Sequence, residues 1–143
     1  MFTHPTHKHV NGLASAVLVV TLVGVGLAPL AFAKVMTNTI DPVTLVTDNC
    51  RHLVVTGPIA CTASERAYVR VTVTQRATGA VAEGQTRLTC TGDTQHWEVH
   101  AATQGQETFE EGPATAVALG RTTTRGDTTD AHQWLVEITL VGE

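Results

Sequence analysis

The stretch "AYVRVTVTQ", Ala67–Gln75, decides the fold class of this chain. Valine occupies every second position near its centre, and arginine or threonine occupies the positions between. Successive side chains of a β-strand point to opposite faces, so this period of two predicts a strand with one buried and one solvated face. After residue 33, no segment of 11 or more residues has apolar side chains at helical spacing, and strands are therefore expected throughout.

Six further runs share this strand-like character, and turn-forming pairs such as Thr78-Gly79 and Gly92-Asp93 separate them. The seven predicted strands span residues 43–47, 51–61, 67–76, 84–91, 96–103, 114–123 and 131–141. Seven short strands in about 100 residues is the expected size of an immunoglobulin-like domain. We therefore predict an all-β fold, a single immunoglobulin-like antiparallel β-sandwich of about seven strands.

Residues 1–33 have the organisation of a secretory signal peptide. Lys8 precedes an uncharged run from Leu13 to Phe32, and the alanines of "AFA" stand at the two positions that a signal peptidase reads. A run of about 20 apolar residues could also anchor the chain in a membrane, but its glycines and proline weaken such a helix. The prediction is a signal peptide over 1–33 and a secreted, extracellular domain over 34–143, with no stable membrane insertion after cleavage.

The composition of residues 34–143 restricts the possible partners. These 110 residues contain eight basic and thirteen acidic side chains, which gives a net charge of −5 with histidine neutral. Nucleic acids and anionic membrane surfaces require a basic footprint, so neither is expected as a partner. The 22 threonines of this region favour strands, because a side chain branched at the β-carbon suits a pleated, half-solvated surface.

Three cysteines, Cys50, Cys61 and Cys90, allow three disulfide pairings. Cys61 and Cys90 each end a predicted strand and can meet at one end of the sandwich. A strand of ten residues would separate Cys50 from Cys61 by about 30 Å, beyond the limit of roughly 7 Å between bridged α-carbons. We predict a Cys61–Cys90 disulfide and a free Cys50 thiol. Trp97 follows both bridged cysteines, whereas the core tryptophan of antibody domains lies between them.

The segment "TRGDTTD", residues 124–130, predicts a hairpin turn at Arg125, Gly126 and Asp127. If the turn is centred on Gly126, facing residues have numbers that add to 252, and Ala118 then lies opposite Trp134. Glycine supplies a positive φ, which aspartate also tolerates.

The same tripeptide binds animal integrins from the loop between the last two strands of fibronectin type III domains. This chain resembles those domains in the position of the loop only. Its composition, rich in alanine, valine, threonine, glycine and arginine, is typical of bacterial proteins, and the turn interpretation is therefore preferred to adhesion.

Catalytic motifs are nearly absent from the sequence. Ser64, the one serine after residue 33, has no nucleophile-elbow sequence around it. Cys50 and His52, two residues apart, form the one candidate for an activated thiol, and a leftover cysteine in a loop is the alternative.

Metal sites are not expected either. His96 and His100 on a strand would lie about 13 Å apart and could not bind one ion. The glutamates of the segment "QETFEE" lack the alternating spacing of a calcium loop and are interpreted as a solvated turn. The sequence therefore predicts no metal and no cofactor.

Several short segments carry a resemblance to a known family: "TGPIAC" (56–61), "VRVTVTQ" (69–75), "CTG" (90–92), "WEVHA" (97–101), "FEEGPATA" (109–116) and "AHQW" (131–134). From about Arg51 to Val141, their succession resembles a family of small, uncharacterised secreted proteins of actinobacteria and similar GC-rich bacteria. The resemblance implies an immunoglobulin-like β-sandwich but no activity. Relatives often have cysteines at the positions of Val117 and Leu135, whose numbers also add to 252.

Two functional hypotheses follow from these patterns. The first is a non-enzymatic secreted binding or interaction module for a protein or cell-surface partner of the bacterial exterior, since the loops of such folds commonly bind. The second is a secreted enzyme whose site uses Cys50 with His52. The fold class alone does not separate them.

The signal-peptide interpretation makes a direct prediction. The exported protein should begin at Lys34, so N-terminal sequencing of secreted material should read "KVMTNT". Recovery of the full-length chain from the membrane fraction would instead support the anchor.

Overall fold

The computed structural model describes residues 39–143, and the predicted signal peptide over 1–33 and its cleavage site lie outside the described residues. The chain forms seven strands: β1 Val43–Thr47, β2 His52–Ala60, β3 Arg66–Thr74, β4 Val81–Thr89, β5 Thr94–Thr103, β6 Gly112–Thr124 and β7 Asp127–Gly142. Each overlaps one strand predicted from the sequence, so the all-β class is confirmed. Within residues 39–143, no helix has the length and apolar character needed to span a bilayer.

The predicted immunoglobulin-like sandwich is wrong, because the strands close into one barrel in the order β1-β2-β5-β4-β3-β6-β7. β3 pairs along its whole length with β4 on one side and with β6 on the other. β1 pairs in parallel with β7 and so closes the sheet. An open sandwich would need two separate sheets with unpaired edges. Barrels and sandwiches both have one buried and one solvated side, so the alternation of side chains does not distinguish them.

The barrel interior combines small and very large side chains. The buried side of β6 consists largely of alanines, while Trp97 and Trp134 project into the core. Gly57 lies directly opposite Trp97 in the β2–β5 pair, and a Cβ atom at Gly120 would lie 2.6 Å from Cη2 of Trp134. Both tryptophan rings therefore occupy space that glycine leaves open. The Trp97 indole N–H donates a hydrogen bond to the Pro58 carbonyl at 3.2 Å.

The segment between β5 and β6 covers one end of the barrel. Phe109 is 2% exposed, and its backbone N–H donates to the carbonyl of Cys50 at 2.8 Å. The buried Gln75 amide donates to the Glu110 carbonyl (2.8 Å) and accepts from the Glu110 backbone N–H (2.9 Å). These bonds satisfy the buried polar groups of Gln75 and fix the covering segment.

A disulfide closes the other end and confirms the predicted pairing. Cys61 and Cys90 are joined, with α-carbons 5.5 Å apart, and Cys50 is an exposed free thiol. Closing a loop of this length stabilises the fold by about 3–4 kcal/mol in the chain-entropy model. Such bonds persist in oxidising compartments, so the disulfide indicates an extracytoplasmic environment.

The β6–β7 hairpin has the register predicted from the sequence: Ala118 lies opposite Trp134, and Val117 opposite Leu135. Its turn differs in detail. Arg125 and Gly126 both have positive φ, 54° and 94°, and Asp127 already begins β7. The loop is thus a two-residue turn with the dihedral signs of type I′, and a register shift after Thr122 restores the predicted pairing. Arg125, rather than Asp127, adopts the second left-handed conformation.

The fit of Trp134 against Gly120 predicts a strong coupling between the two positions. Gly120→Ala should destabilise the barrel by about 1–3 kcal/mol, because the added methyl group overpacks the ring. Thermal unfolding should show a lower Tm. Since phenylalanine lacks the outer indole atoms, Gly120→Ala combined with Trp134→Phe should be less destabilised than the sum of the single variants. If the stability lost by the double variant equalled the sum for the two single variants, the proposed contact between Gly120 and Trp134 would be contradicted.

Candidate functional site

The outer surface of the three adjacent strands β4, β3 and β6 carries a row of three side chains, one from each strand. Tyr68 pairs with Arg87 of β4 on one side and with Arg121 of β6 on the other. Directly paired residues project from the same face of a sheet with β-carbons about 5 Å apart. Tyr68 therefore stands between two arginines on the outside of the barrel.

The two guanidinium groups contact the tyrosine ring. The Cζ atom of Arg87 lies 5.1 Å from the ring centroid, and that of Arg121 lies 4.8 Å from it. Cations within about 6 Å of a ring centroid are attracted by its quadrupole, by about 0.5–1 kcal/mol at an exposed site. These contacts restrict two otherwise flexible side chains to positions beside Tyr68.

Two more arginines extend the row along β3. Arg66 and Arg70 precede and follow Tyr68 by two residues and are both exposed. We call the set Arg66, Tyr68, Arg70, Arg87 and Arg121 the arginine face. Arg70 forms an ion pair with Glu83 at 3.0 Å, which among the described residues is the only ion pair between this set and a carboxylate. Arg66, Arg87 and Arg121 form no ion pair with a carboxylate of residues 39–143.

The arginine face includes a shallow depression of about 280 Å³. Its walls include Tyr68, Arg70, Gln85, Arg87, Leu119 and Arg121. The depression thus combines guanidinium groups, one amide and one exposed leucine. An adjoining depression is lined by Arg66 and Tyr68 together with Arg125 of the β6–β7 turn.

The positive charge of this face contrasts with the rest of the domain. Residues 39–143 contain seven arginines, no lysine and thirteen acidic residues. Five of the seven arginines lie on the arginine face or in the adjoining turn. Within the described part of the chain, Glu83 is the only carboxylate that projects outward from β3, β4 or β6. The arginines are therefore concentrated on one side of the barrel, with Asp127 adjoining Arg125 at the β6–β7 turn.

The structure places Cys50 and His52 at the opposite side of the barrel, at the β1–β2 turn. Asp48, Asn49 and Cys50 have successive positive φ angles of 49°, 54° and 62°. His52 Nδ1 lies 3.9 Å from the Asp48 carboxylate, and its ring centroid lies 6.1 Å from that of His100. No hydrogen bond within the described residues joins the Cys50 thiol to His52.

Hydrogen bonds to the segment between β5 and β6 fix the turn that contains Cys50. The Arg51 guanidinium donates to the carbonyls of Gly105 (2.7 Å) and Gln106 (3.2 Å). Phe109 donates to the Cys50 carbonyl, as described above. Aspartate and asparagine tolerate the left-handed conformation, so the strain, of the order of 1–3 kcal/mol, falls mainly on Cys50. The bonds to Arg51 and Cys50 keep the turn in place.

The remaining residues with catalytic or metal-binding side chains do not come together in one site. Ser64 lies in a turn, and His96 is exposed on β5. His100 Nε2 lies 2.8 Å from the Glu98 carboxylate on the solvated side of the same strand. The Glu111 carboxylate accepts from the backbone N–H of Gly142 at 2.9 Å. Within residues 39–143, no group of three or more histidine, cysteine, aspartate or glutamate side chains is arranged to hold a metal ion.

The tyrosine–arginine row was missed in the sequence because its members are far apart in the chain. The sequence does show one part of this surface, because the alternation places Arg70 on the solvated side of the predicted strand at 67–76. Only the registers of β3 with β4 and with β6 bring Arg87 and Arg121 beside Tyr68.

Comparison with known proteins adds no assignment to this site. No family model matches the chain, and no curated protein sequence gives a significant match. The resemblance to secreted actinobacterial proteins therefore stays a prediction.

Proposed function

We propose that this protein is a non-enzymatic binding module secreted to the bacterial exterior, where it recognises a protein or cell-surface partner. The observation that carries the proposal is the arginine face, a segregated basic surface on a domain with a clear excess of acidic residues. Uncompensated charge of one sign attracts partners of the opposite sign. The surface is displayed on a rigid scaffold, since β3 is paired along both edges.

Two observations and two predictions from the sequence support the location and the type of partner. The Cys61–Cys90 bond belongs in an oxidising compartment. The predicted signal peptide over 1–33 and the resemblance to secreted actinobacterial proteins agree with that compartment. The net negative charge of the domain disfavours nucleic acid, because the dense phosphates of a nucleic acid require a more extensive basic footprint than the arginine face provides.

A second candidate function is an enzyme that uses Cys50. The specific observation in its favour is the left-handed turn, since backbone strain is often stored at functional sites. His52 lies two residues away and near Asp48, which resembles part of a thiol–imidazole–carboxylate arrangement. The absence of a thiol–imidazole hydrogen bond among the described residues makes this the weaker proposal.

The binding proposal predicts saturable attachment to cells. Mature protein labelled with a fluorophore at the exposed Cys50 thiol should bind intact cells of the bacterium that encodes it. The label is remote from the arginine face, because β1 and β2 do not neighbour β3. Excess unlabelled protein should displace the signal, and protein that has been reduced and unfolded should not bind. Linear, undisplaceable uptake equal to that of the unfolded control would contradict the proposal.

The role of Cys50 can be tested separately by thiol reactivity. On the binding proposal, the thiol should react with Ellman's reagent about as fast as an ordinary exposed thiol, and Cys50→Ser should leave cell attachment unchanged. An enzyme would show a reaction at least about tenfold faster than glutathione, because the thiolate is the reacting species and an adjacent base increases its fraction. His52→Ala should then remove that acceleration, whereas His96→Ala serves as an exposed-histidine control, because His96 lies on β5 opposite Pro58 and away from His52.

A further inference from the structure

We propose that the arginine face binds the carboxylate groups of a linear acidic polysaccharide, with Arg87 and Arg121 contacting acidic sugars on either side of Tyr68. This inference rests on the proposed binding function and names its ligand class. The type of cation, the spacing of the cations and the groups beside them all favour such a ligand.

The type of cation favours a planar anion. All seven basic side chains of residues 39–143 are arginines. A guanidinium group presents a rigid fork of N–H donors that matches a carboxylate in a bidentate manner, whereas an ammonium group acts as a point charge. The contacts of Arg87 and Arg121 with the Tyr68 ring restrict both forks before a ligand arrives. Such preorganisation lowers the entropy lost on binding.

The spacing of the cations suits a repeating anion. Arg66 and Arg70 lie four residues apart on β3, which corresponds to about 13 Å along the strand. The strands of Arg87 and Arg121 are separated by two strand spacings, or about 10 Å across the sheet. A chain with a carboxylate on every sugar or every second sugar can therefore contact more than one arginine at a time. Several weak contacts on one chain raise the overall affinity by making the later ones intramolecular.

The groups beside the arginines fit a sugar better than a phosphate polymer. The amide of Gln85 can both donate to and accept from hydroxyl groups. Leu119, which is 49% exposed, offers an apolar surface to the C–H side of a sugar ring. Dense phosphate chains would also be repelled by the thirteen acidic residues of the domain, and the repulsion grows with the charge of the polymer.

A purely structural explanation is that the two arginines only pack on Tyr68 as a cross-strand cluster. That explanation predicts effects of substitution on stability, with no specific loss of ligand binding. The experiment below separates the two explanations by measuring both properties on the same variants.

The test measures binding of the mature, oxidised protein to polygalacturonate by isothermal titration calorimetry. Neutral dextran, polyphosphate and single-stranded DNA are measured alongside at equal ionic strength. We expect binding to polygalacturonate that weakens with added salt and is absent for dextran. Failure to bind polygalacturonate, or tighter binding of polyphosphate or DNA, would overturn the assignment of a carboxylate polysaccharide.

The variants localise the site. The double variant Arg87→Gln with Arg121→Gln should lower the affinity for polygalacturonate by about tenfold or more, because each substitution removes a charge-assisted contact. Arg76→Gln is the matched control, since Arg76 is exposed in the β3–β4 turn, away from the row. Arg87→Lys with Arg121→Lys keeps the charge, removes the forks and should also weaken binding. If the single Arg76 substitution lowered the affinity for polygalacturonate as much as the double variant does, the proposed site would be wrong.

Thermal unfolding of each variant completes the test. The Arg76 variant should keep its Tm, and the double variant should show only a small decrease in Tm, because only two exposed contacts with the Tyr68 ring are removed. A large loss of stability with unchanged affinity would establish the structural explanation and overturn the proposal. If polygalacturonate does not bind but attachment to cells persists, the ligand class is wrong while the binding function stands. If the protein bound neither polygalacturonate nor cells, both the ligand class and the binding function would be wrong.

Discussion

The double-sided pairing of β3 is the constraint on which the rest of the structure depends. Arg66–Thr74 forms hydrogen bonds with β4 along one edge and with β6 along the other. This strand therefore has no free edge, and its neighbours are fixed in register with it. The same pairings place valines inside and polar side chains outside. Core formation and assembly of the arginine face are thus consequences of one set of backbone hydrogen bonds.

Much of the local structure could be predicted because it depends on near neighbours in the chain. Alternation in three segments, together with the turn signals between segments, predicted all seven strands, and the spacing around Gly126 predicted the register that places Ala118 opposite Trp134. The disulfide followed from the position of Cys61 and Cys90 at strand ends. The closure of the barrel could not be predicted in this way. It depends on pairings such as β1 with β7, whose members are about 95 residues apart and whose sequence patterns do not specify a partner.

The candidate site shows the same difference between residues that are close in the sequence and residues that only strand pairing brings together. Cys50 and His52 were noticed because they are close in the sequence, yet no hydrogen bond joins them within the described residues. Tyr68, Arg87 and Arg121 were not assembled from the sequence, although each lies in a predicted strand. Their proximity requires two registers at once, and a shift of either by one residue would turn an arginine toward the core. Burying a guanidinium group is costly, so burial of the alanine and valine side chains also enforces the arrangement of the face.

Because strand registers are fixed by the core, the arginine face has little freedom to rearrange around a ligand. The alanines and glycines of the interior bring the strands close enough for Trp97 and Trp134 to fill the remaining space, which leaves few alternative packings. Selectivity on such a surface must come from the fixed positions of side chains and not from movement of the backbone. A ligand whose carboxylates match the spacing of the guanidinium groups then gains its contacts without the cost of ordering the receptor backbone. A mismatched polyanion gains only screened, long-range attraction. The rigidity of the barrel is in this sense the physical basis of the discrimination proposed for it.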